Sequence, residues 1–265
     1  MVQRLSRRTV VGAATVRTMS DQSLETVHAV SGILNRLGAM FYFTPATLER
    51  GKVLGMKNGF CWYVVGRGGV LGDVDAEVVG SAFAYFEPNL MRKLWLQGTT
   101  PMGPRDASRE YAECCRVWGR EAFAGVKEAG AFANLAEKVI ANASSAGFSL
   151  FAGWKAEPLG DADDPAGRAA MACNVLRELR GSANIVAVLA AGMSASEAHL
   201  TSRGPTDFKL FGFTEQQMPK VKKALHAKAE RVTDMLDARA YEVLSEKEVA
   251  QFIRYAAKLD KAAGH

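Results

Sequence analysis

One segment, Ser182-Ala-Asn-Ile-Val-Ala-Val-Leu-Ala-Ala-Gly-Met-Ser-Ala-Ser-Glu-Ala-His-Leu200, constrains the fold of this chain more than any other. It predicts an apolar helix to Ala191, a turn at Gly192 and a new helix opening at Ser194. Glycine supplies the positive φ that ends a helix without steric cost. Ser194 and Glu197 stand at capping-box spacing, so each can satisfy a free amide of the new first turn. Two helices joined by such a turn are the scaffold on which many proteins read DNA. On that reading Ser194, Ser196, His199 and Arg203 are the side chains placed to meet double-stranded DNA. Gly204-Pro205 stops the second helix after about two turns, and no alternating apolar hairpin follows before Phe213.

The charge pattern tempers a nucleic-acid reading. The 265 residues carry a formal net charge of +5, yet Arg4, Arg7, Arg8 and Arg17 fall in a first stretch of twenty residues without an acid. Without those four, 29 basic side chains face 28 acidic ones, so the body is nearly neutral. Affinity for DNA comes mainly from neutralised phosphates. Lys220, Lys222, Lys223 and Lys228 form the best local basic cluster, a pattern that an ordinary solvated helix face also produces.

Residues 1–18 read as a disordered leader or a mis-assigned start. Ser6-Arg7-Arg8 has the look of an export signal, but Arg17 interrupts the short apolar stretch and no small-residue cleavage site follows. A cytoplasmic location is expected, with no membrane span, because no window approaches eighteen continuous apolar residues. Cys61, Cys114, Cys115 and Cys173 show no metal-binding spacing and read as small apolar residues in a reducing compartment. His28, His199, His226 and His265 form no zinc spacing either, so neither a metal site nor a cofactor is expected.

Hydropathy predicts an all-α fold. Ser23 to Leu37 carries an apolar face at Leu24, Val27, Val30, Ile33, Leu34 and Leu37. Ala39 to Pro45 is a turn or extended stretch, Thr47 to Leu54 a short helix, and Phe60 to Val65 a buried helix or irregular run. Asp75 to Leu96 is helical with a break at Pro88, and Arg105 to Ser145 is one long or two medium helices. Ala146 to Pro165, with its glycines, Pro158 and the Asp161 to Asp164 run, predicts a loop and hinge. A helix resumes over Ala166 to Arg180. The last third predicts a long helix with Val221, Leu225, Val232, Met235 and Leu236 on one face. A capping box at Ser245 and Glu248 then opens a helix faced by Val249, Phe252, Ile253, Ala256 and Leu259. The expected division is a helical domain over 19–150 and a helix-turn-helix-like domain over 166–265, degenerate winged-helix in type, with its last helices forming a homodimer.

Gly66-Arg-Gly-Gly-Val-Leu-Gly72 is the most tempting loop. A dinucleotide fingerprint wants glycine at its first, third and sixth positions, and the sixth here is Leu71. The stretch therefore reads as a tight connector with Arg67 exposed on it. Aromatic residues cluster nearby, from Phe41, Tyr42, Phe43, Phe60, Trp62 and Tyr63 to Phe83, Tyr85, Phe86 and Trp95. Such a cluster either packs as core or opens a pocket near Arg67 and Asp73 for a small aromatic or anionic ligand.

Several motifs also resemble an actinobacterial family that carries a helix-turn-helix label and no settled function. They are Ala39-Met-Phe-Tyr-Phe-Thr-Pro45, Gly66-Arg67 with Leu71-Gly72, and Ser81 to Pro88 ending at Trp95. Val175-Leu-Arg-Glu-Leu-Arg-Gly181 followed by Val186 to Gly192 completes the set. Ala229-Glu-Arg-Val-Thr-Asp-Met-Leu236 is similar to the dimer-helix region of winged-helix regulators of the multiple-antibiotic-resistance type. Where that family reads Arg-x-His-Arg-Gly-Asp-x-His, this chain has Arg177-Glu-Leu-Arg-Gly-Ser-Ala-Asn184, without either histidine. The resemblance implies a pocket between the two halves with Arg67, Asp73, Arg177 and Arg180 around it, and the aromatic cluster adds Tyr85 as a ligand-binding residue. Two functions follow as alternatives. One is a ligand-responsive DNA-binding regulator, with Lys209, Lys220 and Arg203 gathered near the second helix. The other is a small-molecule-binding protein or cofactor-independent enzyme on a repurposed winged-helix scaffold, with Arg67 or Arg177 pointing into an aromatic pocket.

Overall fold

A computed structural model describes residues 20–265, and the expected leader over 1–18 lies outside them. The described chain is all helical, as its periodicity predicts. Helix α1 (Asp21–Leu37) is capped by Ser20 and buries Val27, Val30, Leu34 and Leu37. A 3-10 turn over Met40–Phe43 leads into α2 (Pro45–Val53), where Pro45 takes the first helical position and Thr44 is the extended cap. Helices α4 (Ala76–Phe83) and α5 (Pro88–Gly98) flank the predicted break, and α6 (Pro104–Ala122) and α7 (Ala129–Asn142) are the two medium helices.

Two local readings are corrected. Helix α3 (Gly59–Gly68) runs straight through the glycines read as a connector, followed by a 3-10 turn over Gly69–Leu71. The glycines there serve close packing. A Cβ at Gly66 would lie 2.5 Å from the Tyr111 ring, and one at Gly69 would lie 1.9 Å from the Pro104 carbonyl oxygen. Only Gly72 of this run needs its positive φ of 85°. The segment read as a loop over 146–165 contains a two-turn helix, α8 (Ser149–Ala156), because Leu150, Phe151 and Trp154 are buried on one side of it.

Helix α9 (Pro165–Ala190) is the axis of the molecule, packing against α1, α6, α7, α8 and α11. Its alanines allow that closeness, and its residues from Ala169 to Leu176 are all buried. One buried apolar cluster draws on residues from Val27 to Leu259. A second, smaller one gathers Val188, Ala191, Met193, Ala198 and Ala229 beneath the end of α9.

Helix α10 (Ala195–Leu210) breaks at Gly204, where φ is 80°, and Pro205 starts a further helical turn. No strand occurs among the described residues, so no hairpin forms a wing between Gly192 and Phe213. The final pair is α11 (Lys223–Tyr241) and α12 (Glu246–Ala262). The α12 face is as expected, packed on α1 and α7. The α11 face is not: Val221 and Met235 are exposed, while Ala229, Thr233, Asp237 and Tyr241 turn inward. Polar side chains of α9 require partners there.

Candidate functional site

The helix-turn-helix unit forms as the sequence predicts. Ala191 closes α9, Gly192 turns the chain at φ 84°, and Met193 is buried beneath the turn. The Ser194 hydroxyl accepts from the Glu197 amide at 3.1 Å, and Glu197 accepts from the Ser194 amide at 2.9 Å. Lys222 then straps the following segment to α10. Its ammonium reaches Glu197 at 2.5 Å and its amide donates to the Thr201 hydroxyl at 3.1 Å. Lys220 and Lys223 are exposed beside that strap, whereas Lys209 is paired with Glu215.

The four residues expected to meet DNA divide between two faces. Ser194 and Arg203 are exposed and Ser196 is half-buried. His199 is only 5% exposed and its Nε2 has no hydrogen-bond partner. A histidine on that helix reads as a surface residue; here its ring lies 4.6 Å from that of Phe211 and lines a cavity. Burial lowers its pKa, so the ring is neutral near pH 7.

That cavity has a volume of about 680 Å³ and separates the N-terminal helices from the helix-turn-helix unit. Tyr42, Tyr63, Phe86 and Phe211 supply aromatic walls, and Arg67, Tyr85, Arg177 and Arg180 all line it. Asp73 is exposed and stands apart from it. Arg67 is not the exposed loop arginine that its glycine neighbours suggest. It is 8% exposed on α3 and forms a two-pronged pair with Glu178, Nε to Oε1 at 2.7 Å and Nη2 to Oε2 at 2.8 Å. Its remaining prong donates to the Tyr63 hydroxyl at 2.9 Å. Burial alone would raise the Glu178 pKa, but Arg67, Arg177 and the Tyr42 hydroxyl together outweigh it and hold the carboxyl below its ordinary value.

Arg177 lies one helical step away and shares the same carboxylate. Its Nη1 donates to Glu178 at 3.1 Å and to the Tyr42 hydroxyl at 2.9 Å, while its guanidinium stacks 5.0 Å from the Tyr42 ring centre. Arg180 instead faces the three carboxylates of α11, Asp234 at 2.8 Å, Glu230 at 3.3 Å and Asp237 at 3.4 Å. Asn184 sits where the second histidine of the resembled pattern would be. It accepts from the Tyr85 hydroxyl at 2.6 Å and donates to Glu230 and Thr233 at 3.1 Å each.

Backbone strain marks the same wall. Ala84 has φ 60° and ψ −42°, and the Tyr85 amide donates across it to the Phe83 carbonyl at 2.7 Å. This is a γ-turn of the rare, strained hand. It swings Tyr85 and Phe86 to the cavity, where Phe86 meets Phe211 at 4.4 Å. The Glu87 amide donates to the Phe211 carbonyl at 2.9 Å, clamping the far end of α10.

Sequence reasoning singled out neither Glu178 nor the acids of α11, and it named Tyr42 and Asn184 only as part of the aromatic cluster and of the altered histidine pattern. Two adjacent-turn arginines on a helix otherwise buried are a usable signal, since buried guanidiniums require acidic partners. Among the described residues no group of three His, Cys, Asp or Glu side chains is arranged to hold a metal, and no helix is long and apolar enough to cross a membrane. The four cysteines are buried and unpaired.

The sequence model of a family described as a helix-turn-helix family matches residues 27–220. No curated protein and no solved structure matches the chain.

Proposed function

We propose, on the premise that this chain belongs to that helix-turn-helix family, that it binds double-stranded DNA and that a small organic ligand sets its grip. One observation carries the reading: α10 is both the second helix of the helix-turn-helix unit and a wall of the cavity. Its outer side offers Ser194, with Lys220 and Lys223 strapped alongside, while His199 and the exposed Arg203 line the cavity. A ligand shifts a conformational equilibrium only by binding one arrangement better than another. An occupant touching α10 on one side and α3 on the other has that leverage.

A second reading is a small-molecule-binding protein that has left DNA. The burial of His199, the absence of a strand for a wing among the described residues and the near-neutral body favour it.

The discriminating experiment incubates the full chain with fragmented host genomic DNA through rounds of selection and titrates the bound fragments against salt. A shared enriched motif whose affinity falls steeply with salt is expected. Changing Lys220 and Lys223 to Ala is expected to weaken binding and flatten the salt slope by about one unit per lost phosphate contact. Absence of enrichment at low salt refutes the DNA reading and leaves the second.

A further inference from the structure

We infer that a DNA duplex lies on the outer face of α11, its phosphates on Lys220, Lys223, Lys228 and Arg231, while α10 holds that face in place without entering a groove. This rests on the reading that the chain binds DNA.

Helix α10 has little to offer a groove. From Ala195 to Thr201 none of its residues is exposed. Ala198, His199 and Leu200 are buried, and Lys222 engages both the Glu197 carboxylate and the Thr201 hydroxyl. A helix that reads bases turns a row of free side chains toward them. The charges of α10 also cancel, Glu197 and Asp207 against Arg203 and Lys209. Affinity for DNA draws mainly on neutralised phosphates, so the cations must come from another element.

Helix α11 supplies them. Ala224, Lys228, Arg231 and Met235 recur along one exposed stripe, with Lys223 and Ala227 on its flanks and Lys220 just before it. The acids of this stretch turn the other way, where Glu230, Asp234 and Asp237 face Arg180. Lys222 and Lys209 are matched by Glu197 and Glu215. Among the described residues Lys220, Lys223, Lys228 and Arg231 have no acidic partner, and all four are exposed.

Two further features point to phosphate. The first turn of α11 holds no acid and no side chain caps it, although free amides at a helix start favour an anion. Lys220 and Lys223 add positive charge to that already positive end, and a phosphate relieves it. From Lys223 to Arg231 the helix rises about 12 Å, over which one DNA strand passes about three phosphates. A bilayer fits this face less well. Exposed alanines, Ala224 and Ala227, separate the cations, no aromatic residue joins them, and Val221 and Met235 stand only at the ends.

The test titrates the full chain into a labelled duplex of mixed sequence, read by fluorescence anisotropy at several salt concentrations. Lys228→Ala with Arg231→Ala is expected to weaken binding about ten- to hundredfold at ~0.1 M salt and to flatten the salt slope by about two units. Both side chains are exposed and alanine favours a helix, so the variant keeps its fold, which urea unfolding checks. Lys247→Ala with Lys261→Ala removes the same charge from α12 and is expected to leave affinity and slope unchanged. Parent-like binding by the α11 variant overturns the inference and leaves the DNA reading standing, as does an equal loss in the α12 variant. A parent chain that binds no duplex even at low salt refutes the DNA reading and this surface together.

Discussion

Asp237 on α11 gives the sharpest test of the buried charge network. It is 2% exposed, its Oδ2 lies 3.4 Å from Arg180, and its Oδ1 has no partner. Burial pushes its pKa from an ordinary 3.8 up to about 7, and Arg180 only partly offsets that push. A carboxyl with a raised folded pKa holds its proton more tightly in the native state than in the unfolded chain. Its stabilising effect is complete below pH ~4 and is lost as pH rises to about 7. At 1.36 kcal/mol per unit, the whole loss is about 4 kcal/mol. Asp237→Asn keeps the neutral shape and removes the titration, and Arg180 retains Asp234 and Glu230. Between pH 5 and pH 8 the variant should gain about 3 kcal/mol relative to the parent. Urea unfolding of both proteins at fixed ionic strength, at pH 5, 6, 7 and 8, reads the difference directly, since every other group cancels. Parallel profiles, or an Asn variant less stable at pH 8, would refute the reasoning.

Two further perturbations address the walls of the cavity. Arg67→Met leaves Glu178 buried opposite a single shared guanidinium and should cost about 3–5 kcal/mol in urea unfolding, whereas Arg67→Met with Glu178→Leu should recover most of it. A double variant no more stable than the single one would show that the pair is not the energetic unit. Ala84→Gly relieves the strained turn and should stabilise by about 1 kcal/mol, read as a higher Tm; a lower Tm would mean the side chain matters more than the strain.

The features legible in the sequence are those set within a few residues of one another. The capping boxes at Ser194 and Ser245, the Gly192 turn and the apolar stripes of α1 and α12 depend on spacing alone, and all form as read. Gly69 shows the opposite case. Its smallness answers to a carbonyl thirty-five residues away at Pro104, so the local pattern suggests a loop where the chain packs. The site residues Arg67 and Glu178 are 111 residues apart, and nothing near either announces the other. Helix α11 misleads for a related reason. Its inward row of Ala229, Thr233, Asp237 and Tyr241 recurs every four residues, but its polarity makes sense only beside Arg180 and Asn184 of α9.

The cavity and the mobility asked of α10 have one origin. Helix α9 carries a continuous core along its first half, and that core ends near Leu179. Beyond it the helix-turn-helix unit rests on a cluster of five small or medium apolar side chains. Its further ties include the Phe86–Phe211 contact, the Phe208–Phe213 stack, the Glu87–Phe211 hydrogen bond and the Lys222 strap. Local opening draws on regions with few buried apolar contacts, so displacing α10 costs far less than unfolding the body behind it. The gap between the two clusters is where packing is missing, and it is lined by the charges that the core could not absorb. Under the proposed function, a ligand that fills it would supply contacts the chain lacks, against the α10 wall. In the proposed function the residues that bind a ligand need not transmit anything over a distance, because α10 is already part of the wall.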